Sequence, residues 1–231
     1  RDLHLSLRRQ RQMCIRDRFY KGIKSLKEVN PNKHTELFAK IGLSYPYNEY
    51  RATWKMGGQP LVQRLHDKSH DWEDLKKLIP HMLLEGIMGY PFSCPDMIGG
   101  GQFTSFLDDA PIDQELVVRS TQVHALMPMM QFSVAPWRIL DKRHFIAVLD
   151  AVNLRNKFKE TILRLAKKSS TNGEPIVRSM EYVYPHKGYV EITDQFMLGN
   201  NILVAPFLSK GELSLIHISE PTRLLSISYA V

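Results

Sequence analysis

The chain has 231 residues, 43% hydrophobic and 10% aromatic, enough apolar material for a real core in one large domain, or in one domain and part of another. It has no apolar run of eighteen residues, so neither a membrane-spanning helix nor membrane contact is expected within this stretch. The formal charge of +7 invites a nucleic-acid partner, but six arginines against two aspartates in residues 1–18 supply +4 of it and the last nineteen residues are neutral; the interior carries no basic stripe, and no nucleic-acid partner is expected.

The two ends differ in texture from the interior. MCIRDR (Met13–Arg18) and SLIHISEPTR (Ser214–Arg223) resemble translated sequencing-adapter read-through and lack the turn signals and periodic apolar faces found between them. Residues 1–18 and 213–231 are therefore expected to be foreign to the fold; the alternative is a genuine basic tail and a genuine C-terminal strand. The first residue is Arg, so a piece of a longer product is expected.

From residue 19 the elements follow in order. An Asn30–Pro31 turn opens a short helix with Leu37, Phe38 and Ile41 apolar. Asn48–Lys55 reads as a strand or strand end, broken by Gly57–Gly58. Pro60–His66 is a strand followed at once by Asp67. Trp72, Leu75, Leu78, Ile79, Met82 and Leu83 recur at helical spacing and predict a helix over 71–86. Gly89–Cys94 is a second strand, followed by Pro95 and Asp96. Two strands joined by a helix of that length must be parallel neighbours with a right-handed crossover, which puts Asp67 and Asp96 on one rim of the sheet. That rim is where α/β enzymes keep their chemistry.

The glycines after Ile98 lack the Gly-Lys-Ser/Thr of a phosphate loop and are read as letting backbone approach a ligand. Pro111–Met127 is predicted helical, Met129–Trp137 a buried strand, and Arg143–Lys168 a long helix stopping at Ser169–Gly173. Beyond Gly173 the texture turns β-rich, with no helix long enough for a crossover. The residues thus predict an α/β fold, barrel or doubly wound, followed by an all-β piece.

Asp71 or Ser69 is better placed than Asp67 to cap the first long helix, which frees Asp67 for another task. Arg51 and Arg64 could hold a carboxylate or a sugar hydroxyl, or form surface ion pairs. Trp54 and Trp137 could be stacking platforms or core residues. His66 and His70 flank Asp67 without a metal-binding spacing, and Cys94 reads as a buried free thiol. No Ser-His-Asp arrangement assembles.

The stretches LHDKSHDWEDLKKLIPHMLLEGIMGYPFSCPDMIGGG, MMQFSVAPW and EPIVRSMEYVYPHKGYVEITDQFMLGNNILVAPF resemble glycoside hydrolase family 31, over essentially residues 19–212. That resemblance implies the C-terminal part of a (β/α)8 TIM barrel over 19–172 and the start of a proximal β-sandwich domain over 173–212. It implies a retaining α-glycosidase in which Asp67 is the general acid/base, while Arg51 and Asp96 bind substrate. The partner is a carbohydrate, and no metal or other cofactor is needed. Where many α-glucosidases of the family place a sugar-binding histidine, this chain has Ser133, which leaves α-galactoside cleavage at least as strong an expectation as α-glucoside cleavage. The family nucleophile sits in a segment resembling FKFDAGE, which this sequence does not contain, so the chain itself is expected to be inactive. The resemblance further implies an Asp67 kept protonated by apolar surroundings and a neighbouring negative charge. The animal branch it resembles consists of membrane-anchored secretory-pathway proteins, whose anchor would lie upstream. The alternative is a non-catalytic sugar-binding or interaction protein of the same fold.

Overall fold

The computed structural model describes residues 30–100, 106 and 111–211, and the backbone of the strand at 217–219. The head at 1–18, Gly101 and most of the tail at 213–231 lie outside the described residues, so the expectations placed on them are not addressed by the structure.

Helix α1 (Pro31–Gly42) starts as its sequence dictates. Asn30 is the N-cap, its side chain accepting from the Lys33 N–H at 2.8 Å, and Pro31 occupies the first turn, where no N–H is needed. Strands β1 (Glu49–Tyr50), β2 (Val62–Arg64) and β3 (Ser93–Cys94) form a parallel sheet in that order, with Glu49 opposite Val62 and Arg64 opposite Cys94. Helix α2 (Trp72–Ile87) is the crossover between β2 and β3. Its N-cap is Asp71, which accepts from the Asp74 N–H at 2.7 Å, so Asp67 is indeed not used as a cap.

Strand β2 is shorter than the seven residues expected. Pro60 has no N–H to donate, and after the last ladder bond, from Leu65 N–H to the Cys94 carbonyl at 2.9 Å, the chain is drawn off to Asp96 by the Lys68 N–H. Asn48–Lys55 contributes only β1; after Arg51 the chain leaves the ladder and reaches Gly58, whose N–H bonds the Gly89 carbonyl at 2.7 Å.

A second parallel pair joins β4 (Met97–Ile98) to β5 (Gln131–Phe132), with helix α3 (Gln114–Ala125) between them. A 3-10 turn at Pro136–Arg138 follows in place of the rest of the expected strand. Helix α4 (Lys142–Asn172) runs through the Ser-Ser-Thr stretch expected to end it. The Ser170 and Thr171 hydroxyls donate back to the Lys167 and Lys168 carbonyls, at 2.7 and 2.8 Å, and the stop comes at Gly173 in the left-handed conformation (φ 73°). Among the described residues no helix is long and apolar enough to cross a membrane.

The remainder is an antiparallel sheet, β6 (Val177–Arg178), β7 (Phe196–Leu198), β8 (Ile202–Ala205) and β9 (His217–Ser219), with a one-turn helix α5 (Met180–Val183) between its first two strands. This sheet packs against the helices before it. Ile176, Val177, Phe196, Leu198 and Val204 share one buried cluster with Leu78, Ile79 and Met82 of α2, Leu116 and Val123 of α3, and Leu154 and Ile162 of α4. The mixed helix and strand architecture is α/β, and its largest core lies behind the helices that hold the strand ends in place.

Candidate active site

Because β1, β2 and β3 are parallel, their carboxyl ends share one rim, and the residues just beyond them converge. Arg51 follows β1 directly, Asp67 comes three residues after β2, and Asp96 two residues after β3. Arg51 Nη2 lies 2.5 Å from Asp67 Oδ2. Arg64, the last residue of β2, places Nη1 2.6 Å from Asp96 Oδ1 and 3.4 Å from Asp67 Oδ1, and its Nε 3.0 Å from Glu49 Oε1. Glu49 in turn accepts from the Gln131 amide on β5, tying the two parallel sheets together. The three residues singled out in the sequence are thus one cluster, joined through Arg64.

The cluster has two levels. Arg64 and Asp96 form its floor, with side chains only 4% and 1% exposed, while Asp67 and Glu49 stand above them at 26% and 30%. Burial works against the charge on Arg64, but Asp96, Glu49 and Asp67 outweigh it, and its pKa lies above the ordinary value. Burial pushes the Asp96 carboxyl up, against the pull of the Lys68 and Met97 N–H groups and of Arg64. Asp96 Oδ2 accepts from Lys68 N–H at 2.7 Å, so both of its oxygens are engaged within the protein. Its backbone is held at φ 120°, a conformation L residues rarely adopt.

The surroundings of Asp67 are not apolar, contrary to what a simple proton-donor environment leads one to expect. Each of its oxygens faces a guanidinium nitrogen.

Next to the cluster, His124 is buried with Nδ1 2.7 Å from the Ser120 carbonyl and Nε2 3.1 Å from the Asp96 carbonyl. A neutral imidazole can donate to one of these only. Burial nevertheless dominates and pulls its pKa down to about 4. The glycine loop is shaped by this packing. At Gly100 (φ 75°) a Cβ would stand 2.5 Å from the Lys68 carbonyl oxygen, and at Gly99 (φ 99°) 2.5 Å from Ser133 Oγ. Both glycines are therefore required by protein-to-protein approach. Ser133 itself donates to the Ile98 carbonyl at 2.8 Å.

Trp54 and Trp137 are 43% and 71% exposed, so neither is a core residue. Trp54 borders a cleft of about 530 Å³ between the segment after β1 and helix α2, together with Gln63, His66, His81, Glu85 and Met88. Arg51 lines its edge; Asp67 and Asp96 do not line it. Sequence reading missed Glu49; for Arg64 it left open a carboxylate, a sugar hydroxyl or a surface ion pair, and the structure gives it buried carboxylate partners. A Glu two residues before Arg51, and so on the same face of β1, was the available signal for the first. Cys94 is the buried free thiol anticipated, its pKa pushed up to about 12 by burial. Among the described residues no group of three metal-ligating side chains assembles.

Residues 173–218 match the profile described as glycosyl hydrolase family 31 C-terminal domain. The chain is 37% identical over 157 residues to the myogenesis-regulating glycosidase of Mus musculus, covering 64% of this chain and 22% of that protein. It is 31% identical over 205 residues to an alpha-glucosidase of Saccharolobus solfataricus, covering 77% of this chain and 29% of the relative. The chain thus spans well under a third of the length of these relatives. Among solved structures, a family 31 alpha-glucosidase from Bacteroides thetaiotaomicron superposes with a TM-score of 0.61 at 24% identity, over 71% of this chain and 28% of that one. A Flavobacterium johnsoniae GH31 dextranase complexed with glucose does so with 0.66 at 22%, over 78% and 24%; these two establish the likeness of fold. The curated matches reach across the parallel-strand part and the family profile covers the antiparallel sheet, and on both the chain is a relative of the glycosyl hydrolase family 31 proteins.

Proposed function

We propose that the chain is part of a retaining α-glycosidase, the C-terminal part of a (β/α)8 barrel with the opening of a β-sandwich domain, acting on α-glucosides or α-galactosides. The observation that carries this reading is the convergence of Arg51, Asp67 and Asp96 on one strand rim, with Asp67 the more accessible of the two aspartates.

Double displacement needs two carboxyl groups about 5–5.5 Å apart. An aspartate from a segment outside this sequence attacks the anomeric carbon as the glycosidic bond breaks, and Asp67 gives its proton to the departing oxygen. In the second step Asp67 takes a proton from water, whose oxygen displaces the enzyme carboxylate and releases the sugar. Arg51 binds Asp67 in the sugar-free state; turning to a substrate hydroxyl, it would free Asp67 Oδ2 to carry the transferable proton. Asp96, from below, would order the hydroxyl-binding groups.

A specific observation favours a second reading, a sugar-binding protein without turnover: both Asp67 oxygens are taken up by arginines and Asp96 is buried. Calorimetry of residues 1–231 with glucose and galactose, run beside an assay on aryl α-glycosides, tests both. Weak binding of one sugar, lost in Asp67→Asn, with no turnover, supports a sugar site lacking its nucleophile. Absence of binding by either sugar defeats both readings. Hydrolysis that disappears in Asp67→Asn shows that the chain holds its own nucleophile and overturns the partial-site part of the proposal.

A further inference from the structure

The geometry points to Arg64, braced by Glu49 and anchored on Asp96, as the positioning residue that sets Asp67 against the sugar ring. This inference rests on the glycosidase reading above and adds to it a residue that touches no substrate.

Arg64 is the shared partner of three carboxylates that come from three parallel strands or the loops after them. Its Nε holds Glu49 at 3.0 Å, and its Nη1 holds Asp96 at 2.6 Å and Asp67 at 3.4 Å. A planar guanidinium can do this because its N–H groups point in fixed directions; an ammonium group at the same place would attract the three charges without fixing their angles. Since Asp67 Oδ1 and Asp96 Oδ1 sit on one nitrogen, at 3.4 and 2.6 Å, the position of the accessible aspartate is tied to that of the buried one.

Glu49 keeps the guanidinium from rotating. It grips Arg64 with one oxygen and the Gln131 amide with the other, so the plane of Arg64 is referred to β5 as well as to β2. At 4% side-chain exposure Arg64 has no direct path to a ligand. Its role is to fix where the accessible carboxyl stands. Without it, three carboxylates would face one another around a buried hole, and Asp67 would swing towards Arg51 alone.

The test is a titration of the side-chain carboxyl carbons of Asp67 and Asp96 by NMR in residues 1–231, in wild type, Arg64→Met, Arg64→Lys and Glu49→Gln. The amide fingerprint reports the fold of each variant. In Arg64→Met the midpoint of Asp96 is expected to move upward, through loss of a cation in hydrogen-bond contact, and the Asp67 carboxyl resonance is expected to leave its wild-type position. Arg64→Lys should restore the midpoint of Asp96 but not the wild-type chemical shift of Asp67, because charge returns without the fork. An unmoved Asp96 midpoint or an unmoved Asp67 resonance in a folded Arg64→Met, or full restoration by Arg64→Lys, would overturn the positioning role. If Arg64→Met does not fold, Glu49→Gln decides: a displaced Asp67 signal supports the brace, and an Asp67 signal identical to wild type removes it. None of these readings requires sugar, so a failure to bind sugar would strike the glycosidase reading while the Arg64 result stands.

Discussion

Arg51 and Asp67 meet at 2.5 Å, but they are not equal partners in burial: Arg51 is 8% exposed and Asp67 26%. Among the described residues, Arg51 Nε is also buried without a hydrogen-bond partner. The cost of breaking the pair should therefore depend on which side is removed. In Arg51→Gln the aspartate keeps Arg64 and water, and a loss of about 1–2 kcal/mol is expected, the scale of one charge-assisted hydrogen bond. In Asp67→Asn a buried cation loses its closest counter-charge, and the loss should reach about 3 kcal/mol. Urea unfolding of both variants checks the order. Equal losses, or a more stable Asp67→Asn, would show that Arg51 relaxes to water.

Glu85 on α2 is 7% exposed, and its Oε2 has no partner among the described residues. Burial raises its pKa to about 8, with Lys68 pulling the other way and losing. Above pH 4.5 the unfolded chain releases this proton, while the folded chain keeps it until about pH 8. The group's contribution is complete below pH 4.5 and fades as pH rises to 8, by an amount on the order of 5 kcal/mol. Glu85→Gln should be more stable than wild type at pH 8.5 and should lose the decline between pH 6.5 and 8, read from urea midpoints across pH.

The positions of Asp67 and Asp96 on one rim were legible because strand-helix-strand spacing alone forces parallel neighbours. Register carried the rest: with Arg64 opposite Cys94, Asp67 lies three residues and Asp96 two residues beyond that pair, on the same rim. The helix cap at Asp71 was equally readable, since capping depends on a few neighbouring residues. The network under the aspartates was not. Glu49, Arg64 and Gln131 lie on three strands from two sheets, and nothing local in the sequence says that their side chains point to one place. The run past Ser169 was missed for another reason. Serine and threonine were read as breakers, whereas here their hydroxyls turn back onto the helix carbonyls. The texture change at Gly173 falls where the long helix ends and the antiparallel sheet begins, and that sheet shares a buried cluster with the helices before it.

His124 should make the fold sensitive to acid. Its pKa falls from 6.5 to about 4 because burial outweighs the two carbonyls that favour its charged form. Its contribution is complete above pH 6.5 and is lost as pH falls towards 4, by roughly 3 kcal/mol. Between pH 4.5 and 6.5 this loss opposes the gain from Glu85, and His66, His70 and His81, whose pKa values burial also lowers, add to the loss. Glu85→Gln should steepen the decline towards acid, and His124→Gln, less stable at neutral pH through lost packing, should weaken it. A His124→Gln profile with the wild-type slope would show that His124 contributes nothing to it.

Gly100 tests how tightly the loop beyond Asp96 is held against the segment after β2. Three glycines, at 58, 100 and 173, have nearly the same backbone conformation, with φ of 76°, 75° and 73°. At Gly58 and Gly173 a Cβ would meet nothing within 4 Å, so an alanine there should cost only the conformational strain, about 1 kcal/mol. At Gly100 the same Cβ would press on the Lys68 carbonyl oxygen at 2.5 Å and the His70 nitrogen at 3.3 Å. That peptide cannot retreat freely, because its Ser69 N–H donates to Asp74 Oδ2 at 2.6 Å and the N–H of the preceding peptide, that of Lys68, anchors Asp96 Oδ2 at 2.7 Å. Gly100→Ala should therefore lose about 2 kcal/mol more than either reference substitution, a typical overpacking penalty. It should also shift the Asp96 carboxyl resonance, which Gly58→Ala and Gly173→Ala leave in place. If all three alanines cost the same and Asp96 does not move, the loop is not pressed against Lys68, and the floor of the cluster owes its geometry to Arg64 alone.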